Sequence, residues 1–389
     1  MKGEGGGRSR LGCPGQISSF DICYQAKVCY AMDTIDFRSS SLMEIINWLT
    51  SLRSVTDFEA PALAQLKEMC EKNNIYTSYM SGGLLIGNIK SKAVFMAHID
   101  RVGFVAIEGV IKDRGTLKLG YVSSSPSIRP QDVKQRFLNT LLIGYDPKTG
   151  EDLFLSTINN DEIDGYSAEI CCIFKENSHN IVSYENPIPL TPAKPCLSYV
   201  GNYLQGFLDN SAGLAIALSV VAKHPSQLSC IVTTSEEGGG YLKKPTGGRG
   251  AQEYIHYHDP SQLLVVIDVR PSSLTISNAE TTRVGDGVVL RESEWRKRED
   301  GARELLLNAH PESLSFIRRF AESNNIPFQI FSGVGLTEAG RAYEALGPKA
   351  ILSCIWLQPP VAYMHSPFEV SSLTDLESTQ KLAEAMKYI

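Results

Sequence analysis

Residues 230–239 read Cys-Ile-Val-Thr-Thr-Ser-Glu-Glu-Gly-Gly, and the rest of the chain is organised around this stretch. An apolar, β-branched run before polar and glycine residues predicts a buried strand that delivers Glu236 and Glu237 to a sheet edge. Adjacent carboxylates repel each other, and a bound metal ion is the usual reason to bury both. Taken alone, the pair is more typical of a solvated loop, so its meaning depends on the other strand ends.

Length and composition limit the classes of protein that this chain can be. Its 389 residues are enough for two domains, and 43% hydrophobic with 21% charged residues is ordinary for a globular protein. The net charge of −6 argues against nucleic acid or an anionic membrane as the principal partner. No apolar run approaches the roughly 18–20 residues that span a bilayer. The first residues lack the apolar core of a secretion signal, which favours a cytoplasmic location.

The pattern of predicted helices and strands changes along the chain and predicts an inserted domain. Residues 41–103 and 196–389 alternate between helical and strand patterns, as in an α/β fold. Residues 104–195 contain short β-branched runs with Gly, Pro and Ser between them, which predict a small β-barrel-like domain. Residues 1–40 form an extension with a glycine-rich start, and we expect it to be disordered in part.

A second polar strand end follows the apolar run at residues 93–97, where His98 and Asp100 stand two residues apart. Side chains at this spacing in an extended strand project to the same side, so the aspartate can orient the histidine. The other ring nitrogen would then remain free for a metal. The alternative is a histidine that is satisfied within a strand-to-loop turn.

Three further polar residues stand beside buried elements. Asp209 and Asn210 precede an apolar helix, where the ordinary interpretation is a helix N-cap. Asp268 ends the strand at residues 263–267, and His365 follows a strand and a proline turn. Ligands of open α/β sheets bind beyond the carboxyl ends of the strands. Two His, two Asp and two Glu at that edge are more than one zinc needs, and they suit a two-metal site.

Five motifs occur in an order that identifies a family resemblance. They are His98-Ile-Asp100, Leu208-Asp209-Asn210, Glu236-Glu237, Asp268-Val269 and Tyr363-Met364-His365-Ser366-Pro367. In this order they resemble the M42 family of metallo-aminopeptidases, which includes glutamyl and deblocking aminopeptidases. The resemblance covers about residues 41–389. It implies a zinc-peptidase catalytic domain with a mixed central sheet flanked by helices, and an inserted β-barrel-like dimerisation domain.

The resemblance also implies roles for individual residues. The implied metal ligands are His98 and Asp268 for one ion, Glu237 and His365 for the other, and Asp209 as the bridge between them. Glu236 would be the general base and acid, and Asp100 would orient His98. The cofactors would be two divalent ions per subunit, with zinc expected and cobalt or manganese as alternatives. The partners would be a peptide substrate and other copies of the chain, in dimers or a dodecamer.

The expected activity is removal of N-terminal residues from short peptides. One alternative is a related amidohydrolase, such as an N-acyl amino acid deacylase on the same scaffold. Another is a non-catalytic homologue that kept the fold. Residues Asn210, Glu338 and Ala362 and the long loop 238–250 differ from the family pattern. They belong to the predicted substrate pocket, together with a predicted loop at 333–340, and they leave the preferred N-terminal residue open.

Overall fold

The computed structural model describes residues 34–112, 114–123, 130–137, 140–159, 165–174, 181–193, 197–238, 248–257, 259–275, 281–298, 300–347 and 352–389. Most of the N-terminal extension and of the 238–250 loop therefore lies outside the described residues. Within the described part of the chain, no helix has the length and apolar character needed to cross a membrane.

Helices and strands alternate through the described residues. The helices are α1 Leu42–Ser51, α2 Ala60–Lys72, α3 Pro130–Arg136, α4 Ser211–Lys223, α5 Arg249–Glu253, α6 Pro311–Ser323, α7 Glu338–Leu346 and α8 Leu373–Ala385, with 3-10 turns at Tyr254–His256 and Met386–Tyr388. The strands β1 to β21 are, in order, Thr77–Met80, Gly83–Gly87, Ala93–His98, Gly103–Val110, Thr116–Val122, Leu141–Tyr145, Asp152–Asn159, Tyr166–Ile173, Ile181–Val182, Ile188–Pro192, Ser198–Val200, Tyr203–Gly206, Leu228–Thr233, Leu263–Val266, Arg270–Pro271, Val288–Lys297, Arg303–Asn308, Phe328–Val334, Cys354–Gln358, Pro360–Val361 and Glu369–Ser372.

A nine-stranded mixed sheet forms the centre of the larger body, in the order β1-β2-β13-β3-β14-β19-β16-β17 with β18 beside β16. Its middle strands β13, β3, β14 and β19 run parallel to one another. Every residue of these four strands is buried. Helices cover both faces of such a sheet, which explains why these strands are continuous apolar runs without alternation.

Helix α4 packs against this sheet and determines where one polar segment enters the site. All of its residues except the last, Lys223, are buried, and it contacts β3, β13, α1 and α8. A helix that is apolar all round must lie in the interior. Its N-terminal end therefore points Asp209 and Asn210 into the protein and away from solvent.

A separate seven-stranded sheet carries the β-rich segment. Its order is β10-β6-β7-β8-β5-β4-β9, and an additional β10–β4 pairing closes six of the strands into a barrel. The barrel has its own core, in which the rings of Phe104 and Phe137 meet at 5.0 Å between centroids. This architecture confirms the predicted fold class of a mixed α/β body with a β-barrel-like unit.

The end of the N-terminal extension belongs to the core of the larger body. Ile35 and Phe37 are buried, and the Phe37 ring lies against Trp48 of α1 at 5.6 Å between centroids. The described part of the extension is therefore packed. The expected disorder concerns residues outside the described ranges, and it stays a prediction together with the domain boundaries.

Candidate metal centre

Neighbouring parallel strands bring most of the candidate residues to one edge of the central sheet. His98 is the last residue of β3, Asp268 follows β14 by two positions, and Glu236 and Glu237 follow β13. These three strands are adjacent, so the segments after them meet. His365 comes from the loop after β20, which continues from β19 on the same side of the sheet.

Asp209 lies in the centre of the cluster, between the two histidines. His98 Nε2 is 3.3 Å from Asp209 Oδ1, and His365 Nε2 is 3.4 Å from Asp209 Oδ2. The remaining partners flank this line, since His98 Nε2 lies 3.4 Å from Asp268 Oδ1 and His365 Nε2 lies 3.2 Å from Glu237 Oε2. The structure thus brings all five predicted metal ligands together, in two groups that share Asp209.

The free oxygens of this cluster fit a pair of metal ions. Both carboxylate oxygens of Asp209, Oε2 of Glu237 and Oδ1 of Asp268 are buried without a hydrogen-bond donor among the described residues. Two ligands that each lie 2.0–2.1 Å from one tetrahedral zinc are about 3.3 Å apart, which is the separation seen in all four contacts. Histidine nitrogen and carboxylate oxygen are also the donor types that such ions accept.

Asn210 takes the helix-capping role that could have belonged to Asp209. Its side-chain oxygen accepts a hydrogen bond from Gly213 N at 3.0 Å, and its amide nitrogen donates to Ile267 O at 2.8 Å. Asp209 makes no cap, so both of its side-chain oxygens stay available. The departure from the family pattern at Asn210 therefore has a structural explanation.

The contact between Asp100 and His98 differs from the side-chain contact that the sequence predicts. His98 Nδ1 donates to the backbone carbonyl oxygen of Asp100 at 3.0 Å, whereas the Asp100 carboxylate is more distant at 3.6 Å. The carboxylate instead accepts the N–H groups of Glu236 and Glu237, each at 3.0 Å, and the hydroxyl of Thr56 at 2.9 Å. Asp100 therefore holds the His98 ring by its backbone and the Glu236-Glu237 backbone by its side chain.

Glu236 lies beside the ligands, in a group of carboxylates that includes a residue whose role the sequence did not reveal. One oxygen each from Glu236, Asp268 and Glu338 lie within 4.8 Å of one another. Glu236 is half-buried, whereas Glu338 is fully buried and its Oε2 has no donor among the described residues. The predicted loop at 333–340 is confirmed only at residues 335–337, because β18 extends to Val334 and α7 begins at Glu338.

Glu369 is a second residue that sequence reasoning missed. It begins β21, is fully buried, and accepts hydrogen bonds from the backbone N–H groups of Leu208, Asp209 and His365. Its only sequence signal is a position four residues after His365. No general rule connects that spacing with a metal site, so the contact becomes visible only in three dimensions.

A comparison with protein families decides which family this arrangement represents. The model of a family described as M42 glutamyl aminopeptidase matches residues 188–382, which include four of the five candidate ligands. The chain belongs to the M42 peptidase family. Its members are peptide-bond hydrolases and metal-dependent, in agreement with the orphaned oxygens of the centre.

Relatives with names or solved structures are similar to this M42 chain over most of its length. A curated protein from Acetivibrio thermocellus, with the provisional name of an aminopeptidase, is 23% identical over 307 residues, which are 75% of this chain and 81% of that protein. An aminopeptidase from the archaeon Desulfurococcus kamchatkensis has a similar structure, with a TM-score of 0.67, 20% identity, and coverage of 90% of this chain and 95% of that chain. The TET1 peptidase of Pyrococcus horikoshii has a TM-score of 0.64 at 17% identity and covers 89% and 99%. These structures share the fold.

The pKa values of the two histidines in the M42 centre are shifted as expected for groups that hold a proton without metal and release it when a metal ion binds. Burial lowers the pKa of His365, but the charges of Glu237 and Asp209 outweigh it and raise that pKa to about 12. The pKa of His98 is likewise raised by its carboxylate neighbours against the effect of burial. Each imidazole must lose its proton before its ring nitrogen binds a metal, so metal affinity falls as pH falls.

The carboxyl groups of Glu237, Asp209 and Glu236 also have shifted pKa values, two raised and one lowered. Burial raises the pKa of Glu237 to about 7, with His365 opposing it. Burial also acts to raise the pKa of Asp209, yet the two histidines outweigh it and hold that pKa below its ordinary range. For Glu236, burial raises the pKa well above its usual value, and the charges of Glu237 and Asp268 add to the effect. A raised pKa makes the carboxylate a stronger base, which suits a group that takes up and returns a proton.

Proposed function

We propose that this protein is a di-metal aminopeptidase that removes N-terminal residues from short peptides. The observation that carries the proposal is the set of four nitrogen–oxygen separations of 3.2–3.4 Å around Asp209. Together with the orphaned oxygens, they form two adjacent ligand groups with a shared carboxylate. The family membership supports the same reaction class, and the names of relatives support the amino-terminal preference.

Five residues of the centre would bind the metal ions, and a sixth, Glu236, would transfer the proton. His98 and Asp268 would hold one ion, Glu237 and His365 the other, and Asp209 both. When bound, two divalent ions supply Lewis acidity that polarises the peptide carbonyl and makes a nearby water more acidic. Zinc is the expected metal, with cobalt and manganese as alternatives, because histidine and carboxylate ligands accept all three.

Glu236 is the proposed general base and acid. Its carboxylate lies next to Asp268 and takes no part in the four nitrogen–oxygen contacts around Asp209, so it would be available to take a proton from the attacking water. The same group then returns the proton to the leaving amine. Asp100 assists by holding the N–H groups of Glu236 and Glu237, which fixes the base relative to the neighbouring ligand.

Substitutions of Glu236 and Glu237 test whether the first residue transfers a proton and the second binds a metal. Glu236→Gln should lower kcat by about 10²–10⁴-fold while two metals per subunit remain, because only proton transfer is lost. Glu237→Gln should instead reduce the metal content toward one ion. Metal analysis and aminoacyl-nitroanilide kinetics on both variants decide the question. If Glu236→Gln lost a metal and kept its activity, the two assignments would be reversed or wrong.

Two alternatives remain distinct in their outcomes. A deacylase on the same scaffold would cleave N-acyl amino acids and would not require a free amine. A non-catalytic homologue would hydrolyse no member of a broad peptide library when loaded with metal, and Glu236→Gln would then change nothing. The aminopeptidase proposal expects cleavage of aminoacyl-nitroanilides and no cleavage of their N-acetylated forms.

The position of Arg270 favours peptides with an acidic N-terminal residue as substrates. It follows Asp268 by two positions, and its guanidinium carbon lies 3.6 Å from the centre of the Phe331 ring. Its Nε is buried without an acceptor, and no carboxylate among the described residues forms an ion pair with it. Gly335 lies beside both guanidinium groups, since a Cβ there would be in van der Waals contact with Arg270 Nη1 at 3.4 Å and with Arg291 Nη2 at 3.5 Å.

An anion beside Arg270 would stabilise its buried charge. Burial and the nearby Arg291 lower the pKa of Arg270 to about 10, which means that the charged form is destabilised where it stands. A substrate carboxylate would relieve both effects and accept the unused donors. The description of the matched family as glutamyl aminopeptidase agrees with this preference.

Assembly and location remain proposals for this chain. The TET1 peptidase of Pyrococcus horikoshii can assemble into a tetrahedron or a large octahedral shell. We infer that this chain also forms homo-oligomers, built from dimers and reaching a dodecamer, through the β-barrel unit. The expectation of a cytoplasmic location stays a prediction.

A further inference from the structure

One buried carboxylate connects two segments of the metal centre that are far apart in the chain. Glu369 Oε2 accepts the N–H groups of Leu208 at 2.6 Å and Asp209 at 2.8 Å, and its Oε1 accepts the N–H of His365 at 2.7 Å. The backbones of Asp209 and His365 are therefore held to opposite oxygens of the same side chain.

The His365 segment needs such a partner because its backbone is strained. His365 has a φ of +61° and Tyr363 a φ of +59°, in the left-handed region that residues with a Cβ rarely adopt. Strained residues of this kind persist where the surroundings hold them in place, and they cluster at functional sites. The Glu369 carboxylate supplies a hydrogen-bond acceptor at the N–H of His365 itself.

The contact is asymmetric with respect to the two ligand groups. Within the described residues, the Glu369 carboxylate accepts from the segments of Asp209 and His365. The His98 ring bonds instead to the Asp100 carbonyl, and the Ile267 carbonyl before Asp268 accepts from Asn210. Asp100 serves the Glu236-Glu237 backbone in the corresponding way. Strands β12 and β21 bring the two segments side by side, and the Glu369 carboxylate adds hydrogen bonds to the backbones of both Asp209 and His365.

We propose that Glu369 is a positioning residue that sets the distance between Asp209 and His365 and so controls one of the two metal positions. This inference rests on the proposed two-metal function. The ion held by Asp209, Glu237 and His365 depends on Glu369 through two of its ligands, whereas the ion held by His98, Asp268 and Asp209 depends on it through Asp209 only. Removal of the carboxylate should therefore weaken the binding of one ion much more than the binding of the other.

Glu369→Gln tests the proposal with little change of shape. The amide has one accepting oxygen and one NH2 group, so one of the two segments loses its acceptor and meets a donor. We expect one metal position to weaken about 10–100-fold, as is usual when an outer partner of a ligand is removed. At a metal concentration that saturates the unmodified protein, the content should fall from two ions toward one. Excess metal should restore kcat, because every ligand and Glu236 are intact.

Asp375→Asn provides a matched control. Asp375 is also fully buried, and it accepts the N–H groups of Gly285 and Gly287, each at 2.7 Å. Its loss should lower the melting temperature as a loss of Glu369 would, since both leave backbone donors unpaired. The control should nevertheless keep two ions with unchanged affinity, because neither glycine carries a metal ligand.

The outcomes separate the possible failures. If the unmodified protein binds fewer than two ions, the proposed function fails. If it binds two and Glu369→Gln binds two with the same affinity, Glu369 serves the fold alone and this inference is overturned. Should Glu369→Gln not fold, amide hydrogen exchange of the metal-free unmodified protein decides. Protection of the amides of Leu208, Asp209 and His365 supports the proposal, and exchange at the rate of exposed loops contradicts it.

Discussion

At the scale of single residues, the difference between an amide and a carboxylate determines which hydrogen bonds the residue at position 210 can form. Asn210 accepts a hydrogen bond from Gly213 and donates one to the Ile267 carbonyl. An ionised aspartate accepts only and would leave that carbonyl without its donor. The asparagine therefore attaches the start of α4 to the strand segment that leads to Asp268. Its amide holds two ligand-bearing segments together without adding another negative charge beside them.

Arg270 carries the prediction that belongs to this scale. Arg270→Met keeps most of the length and the apolar contact with Phe331 but removes the charge and the donors. We expect kcat/KM for glutamyl-nitroanilide to fall about 10–100-fold, the equivalent of the 1.5–3 kcal/mol of a hydrogen bond to a charged group. The value for leucyl-nitroanilide should change by less than about 3-fold, since no carboxylate is involved.

Arg298→Met is the control for this experiment, because Arg298 is exposed and pairs with Asp300 at 3.5 Å. It should leave both substrates unaffected. An equal loss on the glutamyl and leucyl substrates in Arg270→Met would mean that Arg270 supports the fold of the pocket and does not recognise an acid.

At the scale of elements, helix α7 is attached to the central sheet through its first turn. The N–H and hydroxyl of Thr337 donate to the two oxygens of Glu294 on β16, at 2.7 and 2.8 Å. The Trp356 indole on β19 donates to the same hydroxyl at 3.0 Å. These bonds fix the helix start and thereby place the Glu338 carboxylate beside Asp268.

Thr337→Val tests this attachment, since it preserves the shape and removes the hydroxyl. The change leaves one Glu294 oxygen and the Trp356 N–H buried without partners. We expect the free energy of unfolding to fall by about 2–3 kcal/mol, the usual cost of such orphaned groups. Urea denaturation at fixed protein and metal concentration measures it. Thr116→Val, at an exposed position of β5, should stay within about 0.5 kcal/mol. Equal effects of both changes would contradict the attachment.

The elements also show what could be predicted from the sequence and what could not. The strand ends at His98, Glu236-Glu237 and Asp268 were predictable because long apolar runs lead to them and parallel strands align their ends. Helix α7 was missed because Gly333 and Gly335 precede it and Gly340 lies within it, and glycines are typical of loops. Glu338 and Glu369 were missed as site residues since their roles depend on contacts across the chain, which no local pattern encodes.

At the scale of the whole molecule, the buried carboxyl groups around the centre link stability to pH. Burial raises the pKa of Glu59 to about 8, with Asp100 adding to it, and raises that of Glu369 to about 8 and that of Glu294 to about 7. Each folded-state value lies above the ordinary value of an unfolded chain. Between those values the folded protein binds more protons, so stability falls as pH rises.

We therefore expect the melting temperature of the metal-free protein to fall from pH 6.5 to pH 8. Each carboxyl that retains its extra proton contributes a slope of about 1.4 kcal/mol per pH unit until its folded-state pKa is passed. Differential scanning calorimetry with a chelator measures the change. Glu59→Gln removes one titrating group and should flatten the slope. A melting temperature that rises over this range would refute the assignment.

The order of strands in the central sheet also bears on how the protein comes to be active. The candidate ligands span the chain from residue 98 to residue 365, and they meet only where β13, β3, β14 and β19 lie side by side. Parallel strands join distant parts of a chain, and such contacts form slowly because long loops must close first. A complete ligand set therefore cannot exist in a partly folded subunit. Metal capture becomes a late event of folding, and a newly made chain is protected from acting as a peptidase until its sheet is finished.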